Sequence, residues 1–89
     1  MIWNIKLFFV YLLISKKKNK VRSYVGYTNN LNKRILDHNR NKGAKSTRGR
    51  FWRIAYKKKF KNRSRALKYE YSLKKNRLLR EKIKKNYVW

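Results

Sequence analysis

The chain has 89 residues and no cysteine, which is the length of one domain and excludes a disulfide framework and a thiolate metal site. It contains 28 Lys and Arg residues but only 3 Asp and Glu residues, so the formal net charge is +25 at pH 7. Hydrophobic residues make up 42% of the chain, too many for a disordered tail. A folded domain with this charge is expected to bind nucleic acid. A bias toward A/T-rich codons would explain part of the lysine excess without removing that attraction.

The first predicted element is an apolar run at residues 7–14, rich in β-branched and aromatic side chains. It is far shorter than the roughly 20 residues that a membrane-spanning helix requires. A secretory signal peptide is the alternative because Lys6 precedes the run, but the segment SKKKNK follows it in place of a small-residue cleavage site. We therefore expect a strand buried on both faces, in a soluble intracellular protein that has no contact with a membrane.

The charged segment KKKNK leads to a second run, VRSYVGY, and the pair predicts a hairpin with a loop of several residues. The side chains of Thr28, Asn29 and Asn30 can cap a helix that ends near Asn39. Residues 39–50 contain two glycines and little apolar surface, so they predict a flexible loop.

The C-terminal half of the chain predicts one more strand and two helices. The segment FWRIAYKKKF is typical of a strand with a basic far end, and Asn62 or Ser64 can cap the long helix that follows. A final helix at residues 77–85 is expected to direct three apolar side chains toward the core: Leu78, Leu79 and Ile83.

The order of these elements, ββαβαα, predicts an α+β fold. We expect a small three-stranded, mainly antiparallel sheet flanked by helices, in a single domain that spans residues 1–89.

Both long helices carry polar residues on the face that should pack against the sheet. The stripe on the first helix has i, i+3, i+4, i+7 spacing and consists of Leu31, Arg34, Ile35 and His38. The equivalent stripe on the second helix consists of Ala66, Leu67, Glu70 and Leu73. A charge in such a place is costly unless it is paired or binds a metal. Glu70 alone could be an ion-paired residue and His38 a satisfied core residue, but together with Arg34 they suggest a catalytic site.

At these positions the sequence resembles the GIY-YIG endonuclease family. The two tripeptides that name the family correspond to VYL at residues 10–12, which lacks the glycine and isoleucine, and to YVG at residues 24–26. The family's arginine and histidine match Arg34 and His38, and its metal-binding glutamate matches Glu70. The segment HNRNKGAKSTRGR is similar to that of small stand-alone bacterial members and of Slx-type structure-selective nucleases.

The resemblance implies a metal-dependent endonuclease that hydrolyses DNA phosphodiester bonds, on branched, flapped or damaged DNA in repair or recombination. The catalytic residues that it implies are Tyr11, Tyr24, Arg34, His38 and Glu70. Glu70 would hold a divalent cation, Mg²⁺ or else Mn²⁺. One of the two tyrosines would act as general base, and the resemblance favours Tyr11. An ordinary tyrosine pKa is about 10, so the role requires a local shift, which Arg34 and the metal are expected to supply.

The predicted loop carries the candidates for contacts with the nucleic-acid backbone: Lys42, Lys45, Arg48 and Arg50. Trp52 beside them could stack on a base, although a core position in the third strand is the favoured interpretation. The sequence has no cysteine-rich zinc module of the Slx type, so we expect a protein partner or self-association to supply specificity.

Two other functions remain open from the sequence. One is a non-catalytic basic protein that uses this fold only to bind DNA or RNA, and the other is a basic RNA- or ribosome-associated protein. A pure binder has no need for an inward carboxylate, which disfavours the first. Phosphodiester chemistry does not identify the sugar, so RNA is not excluded.

Overall fold

The computed structural model describes residues 6–89, which form a three-stranded antiparallel sheet and three α-helices in the order ββαβαα. The strands are β1 (Phe8–Lys17), β2 (Lys20–Thr28) and β3 (Arg53–Phe60). The helices are α1 (Leu31–Asn39), α2 (Arg63–Lys75) and α3 (Arg77–Asn86), with a 3₁₀ turn at Lys45–Thr47. The predicted α+β fold and its element order are confirmed; residues 1–5 of the predicted domain lie outside the described residues.

The strand order is β2-β1-β3, so the apolar β1 is the central strand and is covered on both faces. One face of the sheet packs against α2 through a core of Val10, Leu12, Ile14, Val25, Ala66 and Leu73. The other face forms a second core with α1 and the segment before β3, from Tyr11, Leu13, Leu31 and Trp52. The prediction of a strand buried on both faces is therefore confirmed. Within residues 6–89, no helix is long and apolar enough to cross a membrane.

The β1–β2 hairpin closes with a two-residue turn. Lys18 and Asn19 have φ angles of 51° and 66°, and the flanking residues Lys17 and Lys20 are paired. Two consecutive left-handed residues are typical of a type I′ turn, whose twist matches that of the strands. The predicted loop of several residues is therefore wrong, because the ladder continues through the lysine-rich segment.

Asparagine side chains cap the three α-helices of the described chain. The Oδ1 atoms of Asn30, Asn62 and Asn76 accept hydrogen bonds from the backbone N–H three residues later, at 3.2, 3.1 and 3.1 Å. Such a cap stabilises a helix by about 1 kcal/mol. The predicted start of α1 is confirmed, and Asn62 rather than Ser64 caps α2.

Two predicted core residues lie farther out than their stripes indicated. Leu79 and Ile83 of α3 pack against the core, whereas Leu78 is 86% exposed. The reason is the helical rotation of about 100° between neighbouring residues, which turns Leu78 outward when Leu79 points in. On α2, Leu67 is 38% exposed, while Ala66 is buried.

The segment between α1 and β3 is held by side-chain hydrogen bonds and contains the 3₁₀ turn, while its predicted flexibility stays a prediction. The Asn39 amide makes two bonds to the Trp52 backbone, accepting from its N–H at 2.6 Å and donating to its carbonyl at 3.1 Å. Farther along, the Gly49 N–H donates to the Asn41 side chain at 2.8 Å. Trp52 is 2% exposed and its indole N–H donates to the Thr47 carbonyl at 2.7 Å, which confirms it as a core residue.

Candidate active site

Four of the five predicted catalytic side chains meet on the α1 face of the sheet. Tyr11 comes from the central strand and Tyr24 from the neighbouring strand, and α1 supplies Arg34 and His38. The His38 ring lies 5.9 Å from the Tyr11 ring and 5.0 Å from the Tyr24 ring, measured between centroids. Arg34 lies close enough to Tyr11, and more weakly to Tyr24, for hydrogen bonding and charge from these two side chains to raise its pKa. The inward polar stripe on α1 is therefore explained by one compact cluster.

A buried chain of hydrogen bonds runs from Tyr11 through His38 to Thr47. The Tyr11 hydroxyl lies 2.9 Å from His38 Nε2, and His38 Nδ1 lies 2.9 Å from Thr47 Oγ1. The Thr47 hydroxyl donates its single proton to the Ala44 carbonyl at 2.7 Å. Thr47 can therefore only accept from His38, which places the imidazole proton on Nδ1 and leaves Nε2 as an acceptor. Tyr11 consequently donates its proton toward His38.

Burial also keeps His38 neutral. The His38 side chain is 0% exposed, and this desolvation lowers its pKa below the usual value. The positive charge of Arg34 acts in the same direction, while Asp37 opposes both. A neutral imidazole with a free Nε2 lone pair is the form that can take a proton from Tyr11.

The pKa of Tyr11 moves in the direction opposite to our expectation. Burial raises this pKa to about 12, and hydrogen bonding to Arg34 together with the positive charge of Arg34 offsets only part of that increase. The charges of Tyr24 and Glu70 raise it further. Tyr11 is therefore protonated in the free protein, and it can act as a base only if its own proton moves to an acceptor such as His38 Nε2.

Two glycines make room for this cluster. Gly26 lies opposite Tyr11 in the β1–β2 pairing, and a Cβ there would collide with the Tyr11 hydroxyl. Gly43 lies against the His38 ring, where a Cβ would collide with Nδ1. The glycine that ends the YVG segment and the first glycine of the loop are thus required by close approach.

Glu70 lies on α2, which covers the opposite face of the sheet, yet it is near enough to Tyr11 to raise the pKa of that side chain. Its side chain is 19% exposed, and one carboxylate oxygen lies 3.5 Å from Lys74 Nζ. No group of three or more His, Cys, Asp and Glu side chains occurs among residues 6–89. One carboxylate fits a hard divalent cation that completes its shell with water and phosphate oxygens, as Mg²⁺ does.

The predicted backbone-contact residues fall into two groups. Lys42, Lys45 and Arg48 are exposed on the segment between α1 and β3. Arg50 instead binds the end of the β1–β2 hairpin, where its guanidinium donates to the Ser15 side chain and to backbone carbonyls at 3.2–3.3 Å. Arg50 therefore has less of its charge available for contact with nucleic acid than the other three residues.

Thr47 and Gly43 are parts of the cluster that the sequence-based reasoning missed. Both lie in the segment that was predicted to be a flexible loop. Their spacing to His38 follows no helical or strand period, so only the unusual density of small residues in KGAKST could have drawn attention to them.

The model of the GIY-YIG catalytic domain family matches residues 7–85. The chain belongs to this family. A GIY-YIG catalytic domain implies nuclease chemistry, so the family predicted from the two tripeptides together with Arg34, His38 and Glu70 is confirmed, while the Slx-like subtype stays a prediction.

Among curated proteins, this GIY-YIG domain is similar to several UPF0213 proteins. One from Oceanobacillus iheyensis is 45% identical over 67 residues, which cover 74% of this chain and 74% of the relative. One from Clostridium perfringens is 44% identical over 68 residues, covering 75% and 70%. One from Bacillus velezensis is 37% identical over 81 residues, covering 90% and 76%. No solved structure gives a significant match.

Proposed function

We propose that this GIY-YIG domain is a metal-dependent endonuclease that hydrolyses phosphodiester bonds in DNA, with branched, flapped or damaged DNA as substrate. The observation that supports this most is the buried hydrogen-bond chain from Tyr11 to Thr47, next to Arg34. A surface that only binds nucleic acid needs cations, but it needs neither a buried proton acceptor nor a tyrosine hydroxyl directed at one.

In the proposed reaction, a water molecule gives a proton to the Tyr11 oxygen while the Tyr11 proton passes to His38 Nε2. The water oxygen bonds to phosphorus and the bond from phosphorus to the 3′ oxygen breaks. The leaving oxygen takes a proton from solvent, and His38 returns its proton to solvent through Tyr11. The short distance of 2.9 Å between the Tyr11 oxygen and His38 Nε2 suits this transfer.

Arg34 would bind the scissile phosphate. Arg34 lies close enough to Tyr11 for each to shift the pKa of the other, so a phosphate bound to its guanidinium would lie near the base. Tyr24 packs against the His38 ring and would hold Arg34 and the imidazole in position. A divalent cation bound to Glu70 would supply neutralisation of charge on the phosphate and on the leaving oxygen.

The test is cleavage of end-labelled linear, flapped and four-way DNA, with RNA of equal length, in Mg²⁺ or in EDTA. Glu70→Gln is compared with Glu81→Gln, which alters a glutamate on α3 that is 52% exposed and paired with Lys84. We expect metal-dependent cleavage of branched DNA that Glu70→Gln abolishes and Glu81→Gln retains. Binding of DNA or RNA without cleavage would overturn the proposal in favour of a non-catalytic basic nucleic-acid-binding protein.

Specificity in such a small domain is proposed to come from a protein partner or from self-association. Sedimentation of the protein with and without flapped DNA tests the second alternative, for which we expect a larger complex than one chain per DNA.

A further inference from the structure

A cavity of about 480 Å³ shares Arg34 with the catalytic cluster. It lies where β1 begins and β2 ends, and its lining includes Lys6, Phe8, Tyr27, Arg34 and Arg63. Its volume is within the range of about 300–1,000 Å³ that is typical of small-ligand sites. Since Arg34 belongs to both the cluster and the lining, a ligand in this cavity would lie next to the scissile phosphate.

The charge of the cavity indicates an anionic ligand. Three of its lining residues are cations, namely Lys6, Arg34 and Arg63, and none of its lining residues is acidic. With Arg34 assigned to the scissile phosphate, Lys6 and Arg63 remain for a neighbouring phosphate of the same strand.

The position of Arg63 on α2 connects the cavity with the candidate metal ligand. Arg63 precedes Glu70 by seven residues, which is about two helical turns, so both side chains lie on the same side of α2. The distance along the helix axis is about 10 Å. A strand that meets Arg34 and the Glu70 carboxylate at one nucleotide can therefore reach Arg63 with the next.

The apolar wall of the cavity suits a nucleobase. The rings of Phe8 and Tyr27 are nearly parallel, with an interplanar angle of 10° and centroids 6.0 Å apart. Both side chains are only partly buried, so the wall is open to the cavity. Aromatic side chains beside cations are the usual surface for an unpaired base, and a base held in a duplex cannot leave its stack to reach them without unpairing.

We propose that this cavity binds the unpaired nucleotide that flanks the cleaved bond, with its base against Phe8 and Tyr27 and its phosphate between Lys6 and Arg63. The proposal rests on the proposed nuclease function and names its substrate class. DNA with an unpaired nucleotide next to the scissile phosphate is preferred over fully paired DNA because only the unpaired nucleotide enters the cavity.

The first test measures binding in EDTA, so that no cleavage is required. A flapped DNA carries 2-aminopurine at the first unpaired nucleotide, and stacking on the aromatic wall changes its fluorescence. We expect this change with the wild-type protein and its loss with Tyr27→Leu. Arg63→Gln is expected to weaken binding of flapped DNA by about tenfold near 0.1 M salt and to lower the salt slope by about one.

The matched control is Arg65→Gln, which removes an exposed cation from the same helix, at a position that does not line the cavity. It should leave the fluorescence change intact and weaken binding less than Arg63→Gln does. Thermal unfolding shows whether Tyr27→Leu is folded. If this variant is unfolded, the comparison of DNA binding by Arg63→Gln and Arg65→Gln decides the test. Equal effects of the two arginine variants, or an unchanged signal in folded Tyr27→Leu, would overturn the proposal.

A second test separates this proposal from the nuclease function. The wild-type protein is given flapped DNA in which the flanking nucleotide is abasic, in the presence of Mg²⁺. We expect cleavage to slow by about tenfold or more, since base–aromatic stacking is lost. Cleavage of normal and abasic flaps at equal rates would refute the nucleotide cavity and leave the nuclease function standing. Failure to cleave either DNA, with the fluorescence change intact in EDTA, would refute the nuclease function and leave the binding site.

Discussion

Replacing Thr47 by valine tests whether its hydroxyl sets the protonation of His38. Valine has the shape of threonine but lacks the hydroxyl that accepts from His38 Nδ1 at 2.9 Å. The Ala44 carbonyl keeps a partner after the replacement, because it also accepts from the Thr47 backbone N–H at 3.0 Å. The His38 Nδ1–H group is therefore the one that loses its partner, in a place where both side chains are 0% exposed.

The expected loss of stability follows from that one group. A buried donor left without an acceptor costs about 1–3 kcal/mol, so the free energy of unfolding should fall by that amount in Thr47→Val. Thr47→Ser keeps the hydroxyl and removes only a methyl group, so it should retain the hydrogen bond. Urea denaturation of the two variants and the wild type measures the difference.

The effect on catalysis is separate from the effect on stability. Without an acceptor at Nδ1, the imidazole proton is free to move to Nε2, where it would donate to the Tyr11 oxygen and block the proton transfer proposed for Tyr11. We expect the single-turnover cleavage rate on flapped DNA to fall by about 10–100-fold, by analogy with the loss of a partner that orients a metal-binding histidine. KM should not change, because Thr47 lies behind His38 and away from the substrate. A folded Thr47→Val with the wild-type rate would refute this assignment of the proton.

Four further outcomes are expected. Since burial lowers the pKa of His38, the unfolded chain binds the extra proton first, and stability should decline as the pH falls below about 6.5. In urea denaturation between pH 5 and 7 the midpoint should fall more for wild type than for His38→Gln, and equal falls in the two would contradict this. Mg²⁺ should bind weakly to the free protein, whose net charge is +25, and tightly only with DNA present; submillimolar affinity by titration calorimetry without DNA would refute this. Affinity for DNA should fall by about 10³–10⁵ between 50 and 200 mM salt if six to ten phosphates are contacted, whereas binding that hardly changed would exclude phosphate-dominated recognition. Gly26→Ala should move the Tyr11 hydroxyl and reduce cleavage more than it reduces DNA binding, and equal losses of both would show that the close approach serves packing alone.

The helices and strands with a clear hydrophobic pattern were predictable from the sequence, and the hairpin turn was not. The run that became β1 has apolar residues on both faces, and only a central strand or a buried helix accommodates that pattern. The turn at Lys18 and Asn19 was missed because lysine carries no preference for positive φ, and four neighbouring lysines are typical of a solvated loop. Pairing through these residues depends on the partner strand, which local sequence does not report.

The same distinction applies to the candidate site. Arg34 and His38 were predictable because helical spacing placed them on an inward stripe, where charged and polar residues are rare. Thr47 was not, since it lies nine positions after His38 and is brought back onto it through tertiary contacts alone. The predicted direction of the Tyr11 pKa shift was wrong, and the reason is related. The neighbouring charges can be inferred from spacing, whereas the desolvation that outweighs them depends on how deeply the ring is buried.

The ion pairs of the three carboxylates show how so basic a chain can retain a carboxylate for metal binding. Each of the three is paired with a lysine one turn away on its own helix, as Asp37 is with Lys33 and Glu81 is with Lys84. Glu70 follows the same pattern with Lys74, but its separation of 3.5 Å is the longest of the three. A cation that arrives with a phosphate has to displace only this one weak pair. We therefore expect Lys74→Gln to tighten Mg²⁺ binding in the presence of DNA, while Lys84→Gln, which frees the exposed Glu81, should not; equal effects of both would mean that net charge alone controls metal affinity.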